Sequence, residues 1–186
     1  VLQDLLDEVL DRRDADVAGT VVFAGIEGSR PMLMEIQALV APSALGTPRR
    51  AVVGWDSGRL AMVLAVLDTR CGLAMSGHDV YLNVAGGFSI REPAADLAVA
   101  AALISSLTAK PLPHDGIVFG EVGLAGEVRP VSQAEARLSE AQKLGFASAI
   151  VPTHKNAKGV GSGMGLRAVG ELGSLVDLIY GNDGRE

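Results

Sequence analysis

The apolar positions of the chain alternate between two spacings, and the switches mark its elements. In residues 1–12, Leu2, Leu5, Leu6, Val9 and Leu10 recur among acids and arginines, which predicts a short amphipathic helix. It is expected to lead in from an upstream domain or to pack against one, through the polar linker Arg12-Arg13-Asp14-Ala15-Asp16. β-type runs at Gly19–Ile26 and Met32–Val40, joined by the turn cluster Glu27-Gly28-Ser29-Arg30-Pro31, predict two strands. Residues 42–48 read as a loop and 49–55 as a third strand, the three forming an antiparallel meander. Ser57 opens a helix to Arg70 with Leu60, Val63, Leu64 and Leu67 on one face, stopped by Cys71-Gly72.

Beyond it, Val80, Leu82 and Val84 alternate with Tyr81 and Asn83 in a strand. Pro93 starts a helix to Leu107 that is apolar nearly all round and so belongs inside the fold. Ile117–Val122 reads as a strand, Leu124-Ala125-Gly126-Glu127 as a turn, and Val128–Val131 as its second arm. Ser132 is expected to cap a helix to Leu144, with Ala134, Leu138 and Ala141 inward and Gly145 as its stop. A buried strand (147–151), a glycine-rich loop (159–165), a short strand (166–169) and a helix from Ser174 to Tyr180 close the pattern.

The chain length of 186 residues suits one domain with a sizeable core. With 48% apolar and only 4% aromatic residues, that core is built from Val, Leu, Ile and Ala. Alanine-rich helices on valine-rich strands predict an α/β fold. The formal charge of −6 does not advertise nucleic-acid binding, so any such role must rest on a local basic patch. A single cysteine, Cys71, excludes an internal disulfide framework and fits a reducing cytoplasm. No apolar run is long enough to span a bilayer, no signal peptide is visible, and the start without Met reads as a piece of a longer protein.

Several stretches together resemble one family. They are Glu27-Gly28-Ser29-Arg30-Pro31, Glu35-Ile36-Gln37-Ala38-Leu39-Val40, Gly46-Thr47-Pro48-Arg49-Arg50, the run from Asp79 to Gly87, Glu92-Pro93-Ala94-Ala95-Asp96-Leu97-Ala98, and the run from Phe119 to Val131. Over roughly residues 17 to 152 the chain resembles the C-terminal, Lon-protease-like domain of the RadA (Sms) family of bacterial DNA repair proteins. The resemblance implies a Lon proteolytic-domain-like fold, similar to ribosomal protein S5 domain 2, with mixed sheets packed by helices. It divides the chain into a lead-in (1–16), the Lon-like domain (17–181) and a tail (182–186).

The family joins a four-cysteine zinc finger, a RecA-like ATPase and this domain. Here there is no C-x-x-C pair and no G-x-x-x-x-G-K-[ST] loop, so zinc, ATP and Mg are expected only in domains upstream of this chain. The resemblance implies a cytoplasmic ATP-driven DNA motor that promotes branch migration in recombination. It further implies a hexameric ring of like subunits, DNA (single-stranded or branched) and recombination proteins such as RecA as partners, and no membrane.

Lon-type peptidases use a Ser–Lys dyad in which a neutral lysine takes the serine proton. In that family the serine lies in G-P-S-A-G and the lysine in P-I-G-G-L-K-E-K. Here the first motif reads Glu92-Pro93-Ala94-Ala95-Asp96 and the second Pro130-Val131-Ser132-Gln133-Ala134-Glu135-Ala136-Arg137. Ala94 and Glu135 therefore stand at the serine and lysine positions, and no catalytic residue is expected. Glu135 reads instead as the acid of a capping box with Ser132. An ATP-dependent Lon-type peptidase using another nucleophile is the alternative, although Ser89, Ser105 and Ser106 lack a lysine at the family's spacing. A scaffold without DNA contact is a third reading.

The remaining polar residues carry weaker signals. His78-Asp79 and His114-Asp115 read as turn and cap residues, because a triad needs convergence in space. His154 with Lys155 and Lys158 is a weak anion-site candidate, and three histidines without i, i+4 spacing give no metal signature. The glycine run 159–165 lacks the Lys-Ser/Thr of a phosphate loop and the βαβ setting of a dinucleotide site. Cys71 reads as a small buried hydrophobe. Among the cations, Arg30, Arg49, Arg50 and Arg59 fall in loops or helix starts of the first half, and they are expected to converge on one DNA-binding face that a ring would repeat. Lys110, Arg129, Lys143, Lys155 and Lys158 are dispersed over the second half.

Overall fold

A computed structural model describes residues 17–44, 46–153 and 163–181. Nine strands and four α-helices are found among them. The strands are β1 (Thr20–Glu27), β2 (Arg30–Pro42), β3 (Arg50–Val53), β4 (His78–Val84), β5 (Gly116–Val118), β6 (Glu121–Val122), β7 (Val128–Arg129), β8 (Ser148–Pro152) and β9 (Gly165–Val169). The helices are α1 (Ser57–Cys71), α2 (Asp96–Thr108), α3 (Ala134–Lys143) and α4 (Leu172–Tyr180). Seven strands form one mixed sheet in the order β3-β4-β2-β1-β5-β8-β9, and β6 pairs with β7 as a separate hairpin. The predicted α/β class is therefore correct.

α2 packs on β1 and β2, with α1 and α4 beside it. Its residues from Asp96 to Ser105 are all buried, as the unbroken apolar run predicts. α3 also packs on β1 and β2. Five successive residues of β1, from Val21 to Gly25, are buried, so both faces of that strand are covered. The later half of β2 instead alternates between buried Ile36, Ala38 and Val40 and exposed Gln37 and Leu39. α2 and α3 thus cover β1 from its two sides, and the outer face of β2 and β4 stays open to solvent.

Several sequence expectations need correction. The first three strands are not a meander: β2 pairs with β4 (Ile36↔Val84 through Pro42↔His78), and β3 joins β4 in parallel as the edge strand. The reason is local bonding at the entry to β3. The Asp79 carboxylate accepts the Arg49 backbone N–H at 2.7 Å. The Arg50 guanidinium donates to the carbonyls of His78, Arg49 and Met75. Both anchors draw β3 to β4. The predicted five-residue turn is a tighter hairpin, since Glu27 and Arg30 are themselves paired and Gly28 takes φ 63. Pro93 opens a single 3-10 turn (Pro93–Ala95) before α2 begins at Asp96. The predicted strand 117–122 breaks at Phe119-Gly120 into β5 and β6. α4 begins at Leu172 rather than Ser174. The lead-in helix and most of the glycine-rich loop lie outside the described residues.

Candidate functional site

The turn Pro93–Ala95 sits where β5 ends. The Gly120 N–H donates to the Ala94 carbonyl (2.8 Å) and the Leu97 N–H to the Gly120 carbonyl (3.0 Å), so α2 starts against the end of the sheet. Ala94 is 4% exposed and offers only a methyl group. Glu135 is exposed in the first turn of α3. The expected capping box is not formed: α3 is entered through Gln133 at φ 57, ψ 35, and no side chain caps it. A left-handed Gln133 turns the chain too sharply for Ser132 to reach the helix amides.

Two ion pairs bracket Ala94 instead, one from each neighbouring helix. Glu92, on one side, holds Arg137 of α3: Nη2 donates to Oε2 at 2.7 Å and Nη1 to Oε1 at 3.2 Å. Arg137 is 1% exposed and also donates to the carbonyls of Ala24 (2.7 Å) and Ser132 (3.0 Å), while its guanidinium lies over the Phe119 ring. A buried guanidinium requires this near-complete set of acceptors, because desolvation otherwise exceeds the Coulombic gain. Asp96, on the other side, is fully buried and takes Nε of Arg59 at 2.8 Å, with a second contact from Nη2. Its Oδ2 also accepts the Val122 N–H at 3.1 Å. The same carboxylate holds the Arg59 guanidinium's pKa up, against the opposing effect of burial. Asp96 lies in the first turn of α2, where the helix dipole favours a negative charge.

The four arginines singled out from the sequence do not converge within one chain. Arg59 is committed to Asp96, and Arg50 to three backbone carbonyls. Val40 is level with Val80, and Val80 with Arg50. Arg30 is ten residues away along β2 from that level, a separation of about 33 Å. Arg30 opens β2, whereas Arg49 precedes β3 level with the far end of β2, and both have exposed side chains. Lys155, Lys158 and His154 lie outside the described residues.

No buried Ser–ammonium pair is found among the described residues. The buried polar or charged side chains are Asp96, Ser105 and Arg137, and no lysine is among them. Ser105 Oγ accepts the Gly19 N–H and donates to the Lys110 carbonyl, and Ser106 Oγ accepts the Val40 N–H. Ser89 is exposed. His78 and Asp79 begin β4 rather than a loop, and Asp79 is pulled below the usual aspartate range by the Arg49 N–H and the Ser43 hydroxyl. Cys71 is half-buried, with its thiol pushed up by burial and by Glu171. No group of three or more His, Cys, Asp or Glu side chains could hold a metal among the described residues.

The two ion pairs escaped the sequence reading, yet one signal for them was present. Ala134, Leu138 and Ala141 define the inner stripe of α3, and position 137 falls on it by the i, i+3, i+4 rule. A cation on a buried stripe demands an anion, and Glu92 and Asp96 are the acids next to Ala94. Which of them it meets is decided by the packing of α3 on β1.

Residues 44–155 match the family model described as subunit ChlI of Mg-chelatase. The chain is 64% identical over 143 residues to the DNA repair protein RadA of Brucella abortus, which covers 77% of this chain and 31% of that protein. It is 51% identical over 171 residues to the DNA repair protein RadA of Pseudomonas aeruginosa, covering 92% of this chain and 38% of that protein. Against the DNA repair protein RadA of Escherichia coli it is 47% identical over 170 residues, covering 91% and 37% respectively. The chain therefore spans about a third of the length of the curated relatives it matches.

Proposed function

The chain belongs to the RadA family of DNA repair proteins, with which its match to the ChlI model agrees, and from that premise we propose that it is a non-proteolytic, oligomerising and DNA-binding domain of an ATP-dependent recombination protein. The observation that carries the non-proteolytic part is the pair of substitutions at the Lon-like positions. Ala94 supplies no nucleophile, and Glu135 supplies a solvent-facing carboxylate where a buried amine is needed. The Lon-type peptidase alternative has no residue pair to support it among the described residues. Zinc binding and ATP turnover belong to the part of the protein outside this chain, and with them branch migration and any contact with RecA.

Self-association has support in the open face of the sheet. Leu39 (59% exposed) pairs across strands with Tyr81 (37%), Tyr81 with Ala51, and Val53 (62%) lies beside them on the edge strand. Contiguous exposed apolar groups on adjacent strands mark interaction surfaces. A second copy is the occupant proposed, with closure into a ring. For DNA, the exposed guanidinium groups of Arg30 and Arg49 are the candidates that remain. Standing at opposite ends of the sheet's strand direction, Arg30 at the start of β2 and Arg49 before β3, they would act as two separate contacts along a strand that crosses the ring.

Titration of single-stranded DNA at two salt concentrations tests the reading, alongside light scattering. Arg30→Ala with Arg49→Ala should weaken binding and lower the salt slope by about 0.7 for each phosphate of the single strand that is no longer neutralised. Tyr81→Arg should reduce the molar mass in solution. Binding and mass that both stay at the wild-type values would refute the proposal, as would peptide hydrolysis by the pure chain.

A further inference from the structure

A groove runs between α1 and the edge strand β3. Leu60 and Leu64 of α1, with Val52 and Met75, form its floor, and the exposed Ala61 and Ala65 form its outer wall. Ala61 and Ala65 lie on one i, i+4 row, so their small side chains leave a channel in which a second helix can pack. Arg50 and Val52 face this groove, and by strand alternation Ala51 and Val53 face the other way, with Tyr81. The groove holds about 260 Å³. Small-molecule sites run to about 300–1,000 Å³ and enclose most of their ligand, so this space suits a row of side chains on another element.

One end of the groove is closed by bonds. Arg50 Nη2 donates to the Met75 carbonyl at 3.0 Å, and the Ser76 N–H donates to Asp68 Oδ2 at 3.1 Å. The other Asp68 oxygen has no bond among the described residues. The chain enters the domain at this same end of the sheet. The Gly19 carbonyl accepts the Ala38 N–H at 2.8 Å, and Val40, just beyond, is level with Val80 and Arg50. Crossing from β1 over β2 and β4 to β3 puts Gly19 about 16 Å from Arg50. From residue 12 to Gly19 the chain spans up to about 24 Å, so residues 1–12 are within reach of the groove.

We propose that the groove seats the chain's own N-terminal segment, residues 1–12, laid along α1 as a helix. Leu2, Leu5, Leu6, Val9 and Leu10 form one apolar stripe on such a helix, and it rests on Leu60 and Leu64. The lengths agree: Leu2 to Leu10 covers about 12 Å of helix, and the α1 wall from Ser57 to Asp68 covers about 16 Å. The charges agree at the closed end, where Arg12 and Arg13 arrive beside the unbonded oxygen of Asp68. The docked segment fixes the path by which the chain enters the domain. It also leaves the open face around Leu39, Tyr81 and Val53 free for another copy, and in this it goes beyond the function proposed above.

Alkylation of single thiols in the full chain carrying Cys71→Ser tests the proposal. Ala65→Cys places a thiol on the groove wall, and Met62→Cys places one on the solvent side of α1, where Met62 is 41% exposed. Iodoacetamide should label the thiol at 65 about tenfold more slowly than the one at 62. Adding Leu6→Glu/Val9→Glu, which puts charge on the apolar stripe, should bring the two rates together. In the reverse direction, Ala61→Glu/Ala65→Glu should speed tryptic cleavage after Arg12 or Arg13 by about tenfold. Equal labelling at 62 and 65 without the glutamates overturns the proposal, as does unchanged cleavage in a groove variant with wild-type circular dichroism. Protection at 65 that survives Leu6→Glu/Val9→Glu would mark a different occupant, and protection lost on dilution would mark a second copy; either result also overturns it.

Discussion

Arg137→Met should be among the most damaging single changes in this chain. Arg137 donates four hydrogen bonds, to Ser132, Ala24 and both oxygens of Glu92. Methionine fills much of the same volume, so the loss is chiefly electrostatic. It leaves two carbonyls without their donor and Glu92 with the Ile26 N–H as its remaining partner. Breaking a buried pair from one side costs about 3–5 kcal/mol. The Glu92 side chain keeps 24% exposure, which lets water offset part of its loss and places the expectation near about 3 kcal/mol. With a urea dependence of about 2 kcal/mol per molar, the unfolding midpoint should fall by about 1.5 M. Glu92→Ala/Arg137→Met should recover part of that, with a coupling of about 1–3 kcal/mol, because no unpaired charge remains. Urea unfolding followed by circular dichroism on the four members of the cycle measures both numbers. A midpoint shift under about 0.3 M for Arg137→Met, or strict additivity in the cycle, would refute the claim that this pair carries stability.

Three further outcomes follow from the same bonding. Glu135→Ala should leave the urea midpoint unchanged, whereas a capping box would lose about 0.5–2 kcal/mol; a clear drop would mean that Ser132 and Glu135 do cap α3. Asp79 titrates below a free aspartate, so its contribution is complete above the unfolded value of about 3.9 and is lost as pH falls through its lower folded value. Carboxyl NMR should show this late titration, and Asp79→Asn should flatten the acid limb of stability; a titration at the ordinary value contradicts the Arg49 and Ser43 bonds. Cys71, whose thiol is raised by burial and Glu171, should react with iodoacetamide at neutral pH more slowly than free cysteine, and an equal rate would show that the thiol is not shielded.

Local pattern determined much of this protein. The continuous apolar run of β1, the alternation in β2 and β4, the amphipathic stripe of α1 and the all-round apolar α2 are each dictated by residues a few positions apart, because burial of one face or both selects the spacing. That the resemblance sets Ala94 and Glu135 at the serine and lysine offsets is likewise a reading of single letters at a fixed spacing. Pairing and partnership were not. β3 lies parallel to β4 because Asp79 and the carbonyls of Met75 and His78 hold Arg49 and Arg50, contacts made over 25 residues or more. Arg59 looks like a surface cation in sequence and Arg137 like a charge on an inner stripe with no named partner, yet each is folded inward onto a carboxylate flanking Ala94. Whether a charged side chain faces water or a counter-ion depends on which elements meet, and that is decided only when the helices close on the two faces of the sheet.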